Sequence, residues 1–303
     1  MTDHPAVARA RAAVRRAMPV LRALGFVASV AIVVVIAVTA ARDLPDRDLR
    51  WGLLAPACVA TAVWWILLAG GWAILAGGRW SRAGVSQWFR TQALRYLPGG
   101  IWAPVSRVAV AGGTALDRVS TVAAENLIAL CSALTIGGVA LAVAGRWGWV
   151  ALVLAVAVPF VLARVVASRT RVDVGRTGRA TAGYLAAFAA YVTAAVFVQA
   201  AVSGWHDVAL VAGAAAVAWA AGLVVIIAPS GLGARELAYV ALLEGAFPRG
   251  DASAGAVTLR LVTIAVELVV LVVVGRPSRA EAPPAPVPAA AGVPDARPQR
   301  PEA

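Results

Sequence analysis

A chain of 303 residues that is 61% hydrophobic and only 14% charged, with a mean hydropathy of +0.81, lies outside the range of soluble globular domains. Every one of the 27 basic residues is arginine and the net charge is +12, but these arginines fall in short segments between apolar runs. That distribution describes membrane topology and excludes nucleic acid as a partner, so the expected fold class is all-α, a polytopic helical membrane protein.

Residues 1–22 carry Arg9, Arg11, Arg15, Arg16 and Arg22 and read as a basic cytoplasmic N-terminus. The apolar run 24–41 is long, valine-rich and followed by Arg42-Asp43 without a small-residue cleavage pattern, so it is expected to be an uncleaved first span and not a signal peptide. The loop 42–50 sets Arg42, Arg47 and Arg50 against Asp43, Asp46 and Asp48, a balance that suits the outer side. Residues 51–77 form a second span, long enough to cross ~30 Å of hydrocarbon with tilt. Arg79, Arg82, Arg90 and Arg95 mark the return to the cytoplasm, with Trp80 and Trp88 expected as anchors at headgroup level. Between them, 85–97 mixes apolar residues with arginine as a helix lying along the interface does.

A break follows at Leu97-Pro98-Gly99-Gly100-Ile101-Trp102. After it, 101–113 contains Arg107 and is too short and polar for an ordinary span, which points to a re-entrant or half-crossing segment. Residues 119–144 and 148–166 pair around the turn Gly145-Arg146-Trp147-Gly148, and Arg164, Arg169, Arg171, Arg176 and Arg179 against the single Asp173 bring the chain back inside. Residues 180–202 span outward, and 208–227 lead to a second break, Ala228-Pro229-Ser230-Gly231-Leu232-Gly233-Ala234-Arg235-Glu236. A short apolar piece at 237–246 and a last full span at 254–274 complete a membrane domain of residues 23–275. The expected count is about seven to eight spans, plus the broken or re-entrant segments near Pro98 and Pro229. Residues 276–303, rich in proline and alanine, cannot bury a core and read as a disordered cytoplasmic tail. If the segment around Pro229 crosses as a broken helix, both termini are cytoplasmic, as the arginines of the tail favour; if it only dips and returns, the C-terminus lies outside.

A helix interrupted at membrane depth exposes backbone polar groups that lipid cannot satisfy, so such breaks persist where protein or a watery cavity surrounds them. Charged side chains at that depth cost ~2.5–3.5 kcal/mol each on insertion scales, and this chain keeps several. Arg118 and Glu125 are seven residues apart, as are Arg260 and Glu267, which sets each pair along one helix face. The rise over that interval is about 10 Å, so the members of a pair need not touch. They are expected to face a shared interior with Arg107, Arg235 and Glu236; the alternative is a set of internal ion pairs that fixes helix order. Cys58 and Cys131 lie in apolar stretches, and His4 and His206 are too far apart for a metal site, so no metal is expected. No cofactor is expected either, because a chain without lysine cannot form the glycine-rich, lysine-ended loop that cradles nucleotide phosphates.

The two breaks resemble each other as Pro98-Gly99-Gly100-Ile101 and Pro229-Ser230-Gly231-Leu232, each followed by an arginine, and matching interrupted segments point to a transport site. Half-helix N-termini present N–H groups and a positive dipole end, which with arginine would hold an anionic headgroup. The expected substrate-binding set is Pro98, Gly99, Gly100, Trp102, Arg107, Glu125, Pro229, Gly231, Gly233, Arg235, Glu236 and Arg260.

Arg95-Tyr96-Leu97-Pro98-Gly99-Gly100-Ile101-Trp102 with Arg107, Glu125 in the next span, and Pro229 to Glu236 resemble the flippase-like membrane family typified by the transmembrane region of lysylphosphatidylglycerol synthases. The resemblance covers roughly residues 20–275; serine at 230 and alanine at 234 stand where the family often has glycine and valine. It implies a helical membrane domain that handles lipids, moving aminoacylated phospholipid between leaflets in the synthases and acting on polyprenyl-linked sugars or other envelope lipids in stand-alone relatives. The soluble aminoacyltransferase domain of the synthases is not expected, nor is lysylphosphatidylglycerol synthesis. The leading expectation is a multi-pass plasma-membrane lipid transporter with a membrane lipid as its substrate. The rivals are a glycosyltransferase-like enzyme acting on a lipid phosphate, with Glu125 or Glu236 as base, and a non-catalytic membrane partner of an envelope-synthesis enzyme.

Overall fold

A computed structural model describes residues 38, 49–92, 94, 102–145, 148, 174–225, 231 and 233–274. The N-terminal segment 1–22, the spans expected at 24–41 and 148–166 apart from Val38 and Gly148, the residues Pro98, Gly99, Gly100 and Pro229, and the tail 276–303 lie outside the described residues. Among the described residues the chain is helical and holds no β-strand. A 3-10 turn, Trp51–Leu53, leads into α1 (Leu54–Gly77), followed by α2 (Arg82–Gln92), α3 (Trp102–Val110), α4 (Ala115–Val143), α5 (Val174–Ser203), α6 (Val208–Val224), α7 (Ala234–Leu243) and α8 (Arg249–Val274).

Among the described residues, four stretches are long and apolar enough to cross a membrane: Trp51–Gly77, Ala115–Val143, Gly175–Ser203 and Arg249–Val274. The apolar α6 is shorter. The short pieces expected after each break are the short helices α3 and α7, so neither break leads straight into a full span.

Local chemistry sets the helix ends. At the start of α4 the Thr114 hydroxyl accepts from the Asp117 N–H at 3.3 Å, and Asp117 Oδ2 accepts from the Thr114 N–H at 3.0 Å. This reciprocal cap satisfies two donors and puts a negative charge at the positive end of the helix dipole. The first helix ends where Gly78 takes the left-handed conformation, φ +77°, and its N–H returns to the Ile74 carbonyl at 2.8 Å.

The helices assemble around α5, which packs along α1 and also against α4, α6 and α8. Glycines let the backbones close: a Cβ on Gly71 would come within 2.4 Å of the Tyr184 ring, and one on Gly213 within 2.6 Å of Leu141. Such small residues matter in lipid, where surrounding hydrocarbon supplies no hydrophobic drive and association rests on close packing. Val59 and Val63 of α1 face outward, while Trp64, Trp65, Leu68 and Trp72 of the same helix are buried.

Buried rings form a continuous spine through this core. Trp219 of α6 meets Phe188 of α5 at 4.6 Å between centroids, and Phe188 meets Tyr191 at 6.3 Å. The spine continues from Tyr191 to Trp64 at 4.6 Å, Trp64 to Trp65 at 4.2 Å, and Trp65 to Trp88 of α2 at 5.8 Å. Trp65 Nε1 also donates to the Thr263 carbonyl at 3.2 Å, which fastens α1 to α8. Trp88, expected at headgroup level, is instead 3% exposed. The amphipathic α2 turns Val85, Trp88 and Phe89 into the protein, where Glu125 supplies the polar partner an indole N–H would otherwise seek at the interface.

Candidate functional site

Apart from Trp102, the expected site residues that are described gather into two buried clusters. In the first, α3 supplies Arg107, α4 supplies Glu125 and α2 supplies Trp88, Thr91 and Gln92. The helix carrying Arg107 is nine residues long, with Pro104 in its first turn, where the missing N–H leaves no intrahelical bond unmade. Arg107 Nη1 donates to Glu125 Oε1 at 2.7 Å, and Trp88 Nε1 donates to the same oxygen at 2.8 Å. Arg107 Nε donates to Thr91 Oγ1 at 3.4 Å, and Nη2 donates to Gln92 Oε1. The guanidinium also lies over two indoles, 4.8 Å from Trp88 and 6.0 Å from Trp72. Both charged residues are 4% exposed. Each nitrogen of the Arg107 guanidinium is therefore engaged, and its charge is matched by one carboxylate.

The second cluster is built on the second break. Gly231 and Gly233 have φ values of +66° and +81°, a conformation that L side chains rarely adopt. A Cβ on Gly231 would stand 2.6 Å from the Gly222 carbonyl oxygen, so the break lies directly on the backbone of α6. From there α7 begins, and its third residue, Glu236, folds back so that Oε2 accepts from the Gly233 N–H at 2.8 Å. Glu236 Oε1 is 3.8 Å from Arg260 Nε, within ion-pair range but beyond hydrogen-bonding distance. Arg235 lies over Trp219 at 5.7 Å, and its buried Nε has no hydrogen-bond partner among the described residues.

Tyr191, Arg235, Glu236, Tyr239, Arg260 and Thr263 line a cavity here with about 10 Å³ of room, on the order of one water molecule. Its polar wall is held from behind. Tyr239 Oη donates to Gln199 Oε1 at 3.1 Å, and Gln199 Nε2 donates to Ser203 Oγ at 3.1 Å and to the Asp251 carbonyl at 3.3 Å. Two arginines and one glutamate line the cavity beside the start of α7, a helix end whose dipole favours an anion.

Arg107 and Glu125 thus come together, as do Arg235, Glu236 and Arg260, but as two clusters and not around one shared interior. Tyr184 stands close enough to Arg107 and Glu125 to feel both charges, and Tyr191 does so for Arg235, Arg260 and Glu236. These tyrosines are seven residues apart on α5, about 10 Å along its axis. Trp102, the first residue of α3, is 44% exposed and lies outside the two buried clusters. Arg118 donates to the Gly113 carbonyl at 3.0 Å near the start of α4, while Glu267 is buried two turns beyond Arg260.

Sequence reasoning gave no site role to Trp88, which it expected as an interfacial anchor, or to Tyr191, Trp219, Tyr239 and Thr263. A signal was present in the tyrosines: the chain has four, and Tyr184, Tyr191 and Tyr239 are all buried beside these charges. Comparison of the chain with family models, with curated proteins and with solved structures returns no match.

Proposed function

We propose that this protein is a multi-pass lipid transporter of the flippase type in the cell membrane, accepting the anionic headgroup of an envelope lipid, phospholipid or polyprenyl-linked, at the second break. The observation that carries the reading is the buried Arg235–Glu236–Arg260 cavity at a helix start, with the Arg235 Nε lacking a hydrogen-bond partner among the described residues, within a bundle of membrane-length helices. Buried charge is expensive there, and a headgroup phosphate would give Arg235 a partner. The lipid chains remain in the bilayer while the headgroup passes the cavity, with residues 1–22 and 276–303 on the cytoplasmic side. The resemblance of the two breaks to the membrane region of lysylphosphatidylglycerol synthases supports the same reading. Room for one water means that admitting a headgroup requires α7 to move away from α6 or α8.

The test is movement of fluorescent phosphatidylglycerol and phosphatidylcholine between leaflets of proteoliposomes holding the full chain. Faster movement of phosphatidylglycerol, lost in Arg235→Ala, is the expected result. Equal rates for both lipids, or an unaffected Arg235→Ala variant, would overturn the assignment.

A further inference from the structure

We infer that the hydrogen bond from Tyr239 to Gln199 is the latch that holds α7 closed over the cavity, and that Gln199 positions this wall without lining the cavity itself. The inference rests on the reading above that α7 moves to admit a headgroup, and adds the contact that must break when it does.

Arg235, Glu236 and Tyr239 share one face of the ten-residue α7 and line the cavity together. Tyr239 is buried, and its hydroxyl donates to Gln199 Oε1 of α5 at 3.1 Å. The acceptor is itself held from two sides. Gln199 Nε2 donates to Ser203 Oγ at 3.1 Å and to the Asp251 carbonyl of α8 at 3.3 Å, and Ser203 Oγ donates back to the Gln199 carbonyl at 3.1 Å. A Cβ on Gly255 would overlap Gln199 Oε1, so α8 keeps a glycine where the amide sits. One buried side chain thus joins three helices, with α5 and α8 fixing it in place for α7.

Other contacts of the same α7 face tolerate displacement. Arg235 lies over the Trp219 ring at 5.7 Å, and Glu236 is 3.8 Å from Arg260, attractions that change gradually with distance. A hydrogen bond does not: it is lost once donor and acceptor part beyond roughly 3.6 Å. When α7 moves, the Tyr239 hydroxyl leaves a buried carbonyl oxygen that α5 and α8 keep from following. That cost favours the closed cavity. Removing the hydroxyl takes the cost out of the opening step and raises the open population about fivefold, the weight of one ordinary hydrogen bond.

The test uses the full chain in proteoliposomes, with Cys58 and Cys131 replaced by alanine and one reporter cysteine introduced. Ala256→Cys places it on the cavity wall, and Ser132→Cys places it in the buried part of α4, outside the cavity lining. The rate of reaction with an anionic methanethiosulfonate reads how often each position opens to water. Tyr239→Phe is expected to speed reaction at Ala256→Cys about fivefold and to leave Ser132→Cys unmoved. An unchanged rate at both reporters overturns the latch and leaves the anion site standing. Equal acceleration at both makes the bond a general brace of the fold and overturns the latch as well. Should Tyr239→Phe fail to fold, Gln199→Met, which removes the acceptor and keeps the length, is read by the same reporters with the same expectation and the same refutations. Faster reaction at Ala256→Cys alone, in a protein that moves neither phosphatidylglycerol nor phosphatidylcholine, keeps the latch and sinks lipid transport.

Discussion

The two buried arginine–glutamate clusters lie about two helical turns apart along α5 and are finished to different degrees. Arg107 is engaged at every nitrogen, pairs with Glu125 at 2.7 Å and lies over two indoles. Arg235 lies over one indole and its Nε has no hydrogen-bond partner among the described residues, and the neighbouring Glu236–Arg260 pair stands 3.8 Å apart. Glu125 Oε2 and Glu236 Oε1 are both buried without a hydrogen-bond partner among the described residues, so the clusters differ on the arginine side. Arg107, bonded through every nitrogen, fastens α2, α3 and α4 together, while Arg235 keeps a buried Nε with no hydrogen-bond partner among the described residues. Burial alone does not separate the two arginines; the count of hydrogen bonds to the guanidinium does.

The contrast is sharpened most by Arg107→Leu, which leaves Glu125 buried without its cation and is expected to cost about 3–5 kcal/mol. Melting of the purified protein in detergent reads this as a large loss of stability. Adding Glu125→Leu should restore most of it, since apolar replacement of a whole buried pair is often neutral. Failure of the double variant to recover would mean that the first cluster does more than fasten helices. Trp88→Phe removes one hydrogen bond to a carboxylate and should cost about 1.5–3 kcal/mol by the same assay. Gly231→Ala, forced against the Gly222 carbonyl at positive φ, should cost about 1–3 kcal/mol and slow any transport that needs the break to shift. Arg235→Ala gives the smallest loss of stability, about 0.5–1 kcal/mol for its contact with Trp219, while abolishing headgroup-dependent transport. An Arg235 variant as unstable as Arg107→Leu would erase the distinction between the clusters.

Much of this arrangement was legible in the chain. Hydropathy located the long spans, and proline, glycine and length identified the short helices carrying Arg107 and Glu236, because lipid restricts backbone far more tightly than water does. The rarity of charge in the spans drew attention to Arg107, Glu125, Arg235, Glu236 and Arg260. Their division into partners was not legible. Seven-residue spacing pairs Arg118 with Glu125 on one face, but Arg107 reaches Glu125 from another helix, and contact between helices depends on packing that local periodicity does not encode. Trp88 was misplaced for a related reason: an indole on an amphipathic helix satisfies the same pattern at a headgroup or at a buried carboxylate, and only the neighbouring α4 decides.

The spine of rings running from Trp219 to Trp88 also makes the protein its own optical instrument. Trp219 lies 5.7 Å from the Arg235 guanidinium at one end, and Trp88 donates to Glu125 at the other. A headgroup that draws Arg235 off the indole changes the field on that ring and shifts its ultraviolet emission without any added dye. The intervening rings, separated by 4.2 to 6.3 Å, are close enough to pass excitation along, so light absorbed beside the fastened cluster can be emitted at the open one.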